Sequence, residues 1–450
     1  MERNAARIPS VSSGSKPSTV GRLSPLKPHA IAANHHQPGP TEPDLDDFAF
    51  GLLLWLAAVT AVAPDAVDLP FVRGLVTTES QLDSLLARAL GAVLGLVAAF
   101  TILVRIADQR RLSPLFVAVA GMFAPPLLFS WISGVSRVDL VRPLIVLLVV
   151  IALSLCRIQL PRLLWHIRVI LRTYLVLCLM LLLVEPDYAW YAANSVGRRL
   201  QGLPQFAGIA PHPNALGPIV ALALLLELAV GGRRHMRWTF AVLDLAVLVF
   251  THSRAGWAGG IAALSIFLLA REGRVGLRRI WLLFQCVIGA AVVSFFVISN
   301  PDSFDITNGR LGLWSTLIDL SGDSWVFGRG LDALSAVNRS SYELATWAGQ
   351  AHNQFLESYF TGGVLALTAL GFLIVVSSSW ALRDWPQRGT AAAALAILFI
   401  DMMVEAPIRP VLGAPLLMSI FAIAIVSASG ERRSGVVVTG KPASGPGSAP

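Results

Sequence analysis

Apolar blocks of about 17–25 residues follow one another along most of this chain, and each is long enough to cross a hydrocarbon core as helix. Inside lipid, every backbone N–H and C=O must find a partner in the protein. That leaves only helices or a closed barrel. The blocks lack the period-two alternation of barrel strands. The fold class is therefore an all-α polytopic membrane protein. Composition agrees: 55% of the 450 residues are hydrophobic and 14% charged, too little charge to cover a soluble protein of this length.

The blocks predict about twelve spans, at 48–64, 84–104, 112–131, 140–156, 164–184, 213–230, 238–251, 255–270, 280–299, 354–379, 391–405 and 411–428. Residues 1–47 are rich in Pro, Ser, His and charge and hold no apolar stretch; 430–450 are rich in Gly, Pro and Ser. Both read as disordered cytoplasmic tails flanking a transmembrane domain at 48–429.

Net charge is +8, but the positive residues sit in short loops between apolar blocks. There they set topology, so nucleic acid is not an expected partner. Arg105–Arg111, Arg157–Arg172, Gly231–Arg237, Arg271–Arg279 and Trp380–Gly389 are all arginine-rich. Placing the N-terminus inside puts roughly 24 of the 35 Lys and Arg on the cytoplasmic side. The expected location is thus the cytoplasmic (inner) membrane, multi-pass, with both termini inside. The three cysteines fall in or beside spans, which points away from a disulfide framework or a metal site.

The longest loop, 300–352, then lies outside, between the ninth and tenth spans. Loops of that length are usually functional or disordered. Trp314, Trp325, Phe327 and Trp347 fall in it, and Leu313, Leu317 and Leu320 are spaced like one face of a short helix. It reads as folded over the membrane surface.

Several outside positions break the positive-inside pattern. Arg198 and Arg199 precede the sixth span, followed by Gly202, His212 and Asn214. Arg254 follows Ser253 in a very short loop. Arg310 opens the amphipathic part of the long loop, and His352 with Asn353 closes it. Arginine offers a planar fork that binds phosphate bidentately and stays charged; a nearby histidine can take a proton at neutral pH. Together they suit a lipid-diphosphate substrate. Each piece also has a plainer reading. An outside arginine can snorkel to headgroups, and a lone histidine can be an interface residue. Gly91, Gly95, Gly256, Gly259 and Gly260 read as helix-packing surfaces. Asp244 sits mid-span, as a functional carboxylate or half of a buried pair.

Four segments resemble the O-antigen ligase and O-antigen polymerase superfamily, which includes bacterial O-oligosaccharyltransferases. They are Arg199-Leu200-Gln201-Gly202 with Pro211-His212-Pro213-Asn214; Ser253-Arg254; Gly309-Arg310 with Trp314 and Gly328-Arg329-Gly330; and His352-Asn353 with Gly363. The chain departs from the family's usual pattern at Thr361 and Ala366. The resemblance implies a glycosyltransferase that moves a glycan from an undecaprenyl-diphosphate carrier to an acceptor hydroxyl outside the membrane. It implies no cofactor or metal. Its partners would be the lipid-linked donor, a glycan or lipid acceptor, membrane lipids and polysaccharide-assembly proteins. It implies Arg199, Arg254 and Arg310 as diphosphate or donor ligands, with His212, Asn214 and Asn353 in the binding site. His352 would engage the acceptor hydroxyl. Prepositioned arginines can stabilise the leaving diphosphate, while a poor hydroxyl nucleophile needs a base.

Two other classes fit parts of the sequence. A transporter of an anionic or lipid-linked substrate would use Asp244, Asp401 and Glu405, although the halves show no repeat and the polar features gather on one face. A scaffold in an envelope-assembly complex would leave the external arginines without a role.

Overall fold

The computed structural model describes residues 45–67, 81–107, 112–135, 137–191, 204–272, 310–331, 351–382, 388–411 and 413–430, with a few isolated positions between them. The chain divides into two units, Met1–Glu42 and Pro43–Pro450, and every described residue belongs to the second. The expected tails lie outside the described residues, except that helix begins at Leu45 and ends at Gly430.

The architecture is helical. In order come α1 (Leu45–Val67), α2 (Gln81–Ala107), α3 (Pro114–Ile132), α4 (Arg137–Leu155), α5 (Leu160–Val184) and the single turn α6 (Pro186–Ala189). Then follow α7 (Pro213–Ala229), α8 (Arg234–Thr251), α9 (Arg254–Glu272), α10 (Arg310–Leu320), α11 (Gln354–Ala381), α12 (Arg388–Val404) and α13 (Ala414–Gly430). Among the described residues, five helices are long and apolar enough to cross a membrane: α1, α2, α3, α5 and α11. Parts of α7, α12 and α13 form shorter apolar helices. The chain is thus an all-α polytopic membrane protein, apart from one two-residue antiparallel bridge that pairs β1 (Trp190–Tyr191) with β2 (Gln205–Phe206). The expected span at 280–299 lies almost wholly outside the described residues.

Successive spanning helices run in opposite directions. At one end, Arg105 near the close of α2 pairs with Asp46 at the start of α1 (2.7 Å). Asp47 accepts from the Gln159 N–H before α5 (3.1 Å) and pairs with Arg162. Ser113, before α3, bonds Ser427 near the end of α13 (2.8 Å). Here too Arg172 grips the buried Glu227 through two bonds (2.6 and 2.7 Å) and lies over the Phe240 ring. Arg168 and Arg237 donate to the carbonyls of Glu227, Leu228, Val230 and Gly231. Those are carbonyls that a helix end leaves unpaired. Asp244 lies within electrostatic reach of Glu227 and of Arg172, which is itself bonded to Glu227.

The opposite end is built differently. α11 is broken at Gly363 (φ 65°, ψ −160°), and the backbone of Trp325–Gly330 enters the gap. Val364 and Leu365 donate to the carbonyls of Trp325 and Val326. Arg329 and Gly330 donate to the carbonyls of Phe360 and Thr361. The long loop thus satisfies the groups that the break exposes, roughly 15 Å along the helix from its start. Only glycine fits at the junction: a Cβ on Gly363 would stand 2.2 Å from the Val326 carbonyl oxygen, and one on Gly328 2.3 Å from the Thr361 carbonyl carbon. Ala366 fits the same logic, because a Cβ on Gly362 would already meet its methyl at 2.5 Å.

Beside this junction, α10 packs on α11. Leu313, Trp314 and Leu317 are buried with Leu334, Ala351 and Phe360 in a small core of their own. The expected leucine face is right for Leu313 and Leu317. Leu320 is 37% exposed, because α10 ends there and the chain turns into the 3-10 turn Gly322–Ser324.

Candidate active site

His352 lies just before α11 at φ 51°, a left-handed conformation uncommon for a residue other than glycine. Its neighbours hold it there. The Ala351 carbonyl accepts from Trp314 Nε1 (2.7 Å), and the Ala351 N–H donates to Glu357 Oε2 (2.7 Å). Asn353 caps α11, its Oδ1 accepting from the N–H groups of Phe355 and Leu356 (3.0 and 3.1 Å). An N-cap asparagine satisfies donors that the first turn leaves unpaired. Arg409 Nε lies 3.9 Å from the other oxygen of Glu357.

His352 Nδ1 sits 2.9 Å from Glu405 Oε2. Glu405 is the first residue past α12, and Asn214 Nδ2 donates to its other oxygen (2.9 Å). Asn214 stands in the first turn of α7, where His212 is the cap: its Nδ1 accepts from the Asn214 N–H (3.0 Å). The Tyr191 ring, carried by β1, packs edge-on against His212 at 4.8 Å. Three helix ends therefore meet at one carboxylate, and each has its own cap.

The α12–α13 connection is fastened to the start of α11. Gln354 exchanges two bonds with the Ile408 backbone (3.0 and 2.8 Å), and Asn353 Nδ2 donates to the Met403 carbonyl (3.2 Å). α7 in turn meets α9 at a close crossing. A Cβ on Gly256 would stand 2.7 Å from the Gly217 backbone, so the two helices touch through glycine. That crossing seats the buried Ser253, whose Oγ accepts from the Gly256 N–H (3.1 Å), and puts Arg254 at the same end of the bundle. Arg254 is exposed and makes no ion pair among the described residues.

Of the residues expected from sequence, the structure brings His352, Asn353, His212 and Asn214 together around Glu405. Arg254 stands at the same end, and Arg310 is the first residue of α10. Arg198 and Arg199 lie outside the described residues. Sequence reasoning placed Glu405 among transport candidates and overlooked Glu357, Gln354 and Arg409. One signal was present: Pro407 follows Glu405 by two residues, and a helix ordinarily stops before a proline. That puts the carboxylate at the helix end on the site side.

Residues 239–371 match the O-Antigen ligase family. This stretch holds Arg254, Arg310, His352, Asn353 and Gly363. A similar curated protein is the ComP-specific O-oligosaccharyltransferase of Acinetobacter baylyi, 26% identical over a match that covers 37% of this chain and 35% of that protein. The chain thus matches about a third of that relative's length. Helical architecture, the closing motif of the long loop and the matched segment agree: through residues 239–371 the chain is similar to the O-antigen ligase family.

Proposed function

We propose that this protein is a membrane glycosyltransferase that moves a glycan from an undecaprenyl-diphosphate carrier to an acceptor hydroxyl on the external face of the cytoplasmic membrane, in polymerisation or ligation of a cell-surface polysaccharide. The observation that carries the reading is the histidine held at the bundle end. His352 is fixed on its backbone by Trp314, Glu357 and the Asn353 cap, and on its ring by Glu405. A base that is already positioned needs little reorganisation when the hydroxyl arrives.

In this reading the acceptor O–H gives its proton to His352 as its oxygen bonds the sugar's anomeric carbon. The bond from that carbon to the diphosphate oxygen breaks, and the electron pair leaves with the diphosphate. Arg254, exposed and without an ion-pair partner among the described residues, meets the growing negative charge. Arg199 and Arg310 are its proposed companions. His212, Asn214 and Asn353 shape the donor site around the three helix ends. The proposed topology is about twelve spans with both termini inside. Two of the three carboxylates that suggested transport have other neighbours: Glu405 bonds His352 and Asn214, and Asp244 lies near the Arg172–Glu227 pair.

The test is the lipid-linked glycan profile of a deletion strain complemented with wild type or with His352→Ala. Single repeat units accumulating on the carrier, cleared only by wild type, identify a polymerase. Long lipid-linked chains that never reach their acceptor identify a ligase. A profile that His352→Ala restores as fully as wild type overturns the assignment of the base.

A further inference from the structure

We infer that Glu405 is a positioning residue for His352, fixing the tautomer in which the imidazole can take a proton from the acceptor. The inference rests on the reading of His352 as the base. Its ground is the division of one carboxylate between two helices that are far apart in sequence: Oε2 faces His352 Nδ1 before α11, and Oε1 accepts from Asn214 Nδ2 in α7. Both members of the pair are also held by bonds that do not involve each other. On the Glu405 side these are the bond from its own N–H to the Asp401 carbonyl (2.8 Å) and the ties of Met403 and Ile408 to Asn353 and Gln354. On the His352 side they are the two bonds of Ala351 and the Asn353 cap. The left-handed backbone of His352 is a strained state that the surroundings impose, and strain of this kind gathers at functional sites.

The chemistry follows from the donor inventory. An ionised carboxylate only accepts, so the imidazole nitrogen facing it must carry hydrogen. With the proton on Nδ1, the lone pair sits on Nε2. That atom then receives the acceptor's proton, and the imidazolium so formed lies against a negative partner. Glutamine at 405 keeps the shape and reverses the instruction. Its amide can donate to Nδ1, which places hydrogen on Nε2 and leaves the reacting nitrogen no lone pair.

The experiment uses the full chain and, as donor, the lipid-linked glycan that the deletion strain accumulates. The Glu405→Gln variant should lower kcat by about 10²–10⁴ with the donor KM little changed, the size expected when a general base is disabled. Glu405→Asp, which keeps the charge, should recover part of that loss. Because Glu405 acts through His352, the His352→Ala/Glu405→Gln double variant should be no slower than His352→Ala alone. Losses that multiply in the double variant, or a Glu405→Gln enzyme with wild-type kcat beside an inactive His352→Ala, would overturn the inference and leave the functional reading standing. Full activity in His352→Ala would remove both. If Glu405→Gln does not fold, Glu405→Ala is measured instead: a kcat loss that does not multiply with that of His352→Ala supports the inference, and wild-type kcat overturns it.

Discussion

The two ends of the bundle handle polar groups in opposite ways. At the end where α1 and α5 begin, buried charges meet opposite charges: Arg105 with Asp46, Arg162 with Asp47, Arg172 with Glu227. The remaining arginines there close off helix carbonyls. At the other end the charged groups contact neutral or titratable ones. Glu405 meets a histidine and an amide, Glu357 meets a backbone N–H with Arg409 at longer range, and Arg254 has no partner among the described residues. Arginines with carboxylate partners already serve the fold. In the proposed function, the exposed Arg254 keeps its charge for something that binds from outside. The contrast separates structural from functional arginine in a chain whose cations are nearly all arginine.

The largest expected effect tests the structural end. Arg172→Ala leaves Glu227 buried without its partner and should destabilise the protein by about 3–5 kcal/mol, read as a lower unfolding midpoint in detergent. Transfer activity per folded molecule should stay near wild type. A specific-activity loss matching that of a site variant would erase the distinction between the two ends.

Arg254→Ala is the mirror image. Transfer should fall by about 10²–10³ with the unfolding midpoint almost unmoved, because the side chain is exposed and has no ion-pair partner among the described residues. Arg254→Lys should recover little, since an ammonium cannot present the bidentate fork. Full activity in the lysine variant would rule out the clamp.

Next in size is the loop junction. Gly363→Ala puts a methyl against the Val326 carbonyl at a left-handed position and should destabilise by about 1–3 kcal/mol from backbone strain alone. Gly371→Ala, in the same helix with open space around its Cβ, is the control and should be silent. Equal yields of folded protein from the two variants would mean that the loop does not depend on the break.

Much of this was legible in the sequence, for reasons that can be named. Apolar block length reports helices because lipid allows little else. His352-Asn353 and Pro213-Asn214 sit at helix starts, where a cap and an N-terminal proline are local signals. Glu405 was harder, because its meaning comes from partners 191 and 53 residues away. On its own it looks like any carboxylate near a span end. The break in α11 was invisible for another reason. Gly362-Gly363 inside an apolar helix reads as a packing surface, and nothing local says that a segment more than thirty positions earlier, Trp325–Gly330, fills the gap.

The smallest effect bears most closely on how the loop and the base are joined. Trp314 belongs to the loop helix, yet its indole N–H is spent on the carbonyl of the residue before His352. Trp314→Phe keeps most of the apolar contact with Leu317 and Phe360 and deletes that one donor. The loss in stability should be about 0.5–1.5 kcal/mol, the net worth of one hydrogen bond. If the bond served only to pack the loop, activity would follow the folded fraction and nothing more. If it holds the left-handed backbone at His352, kcat should fall several-fold beyond the folded fraction while the donor KM stays put, because the arginines proposed to bind the carrier are untouched. The excess loss in kcat measures how far the external loop sets the geometry of the base.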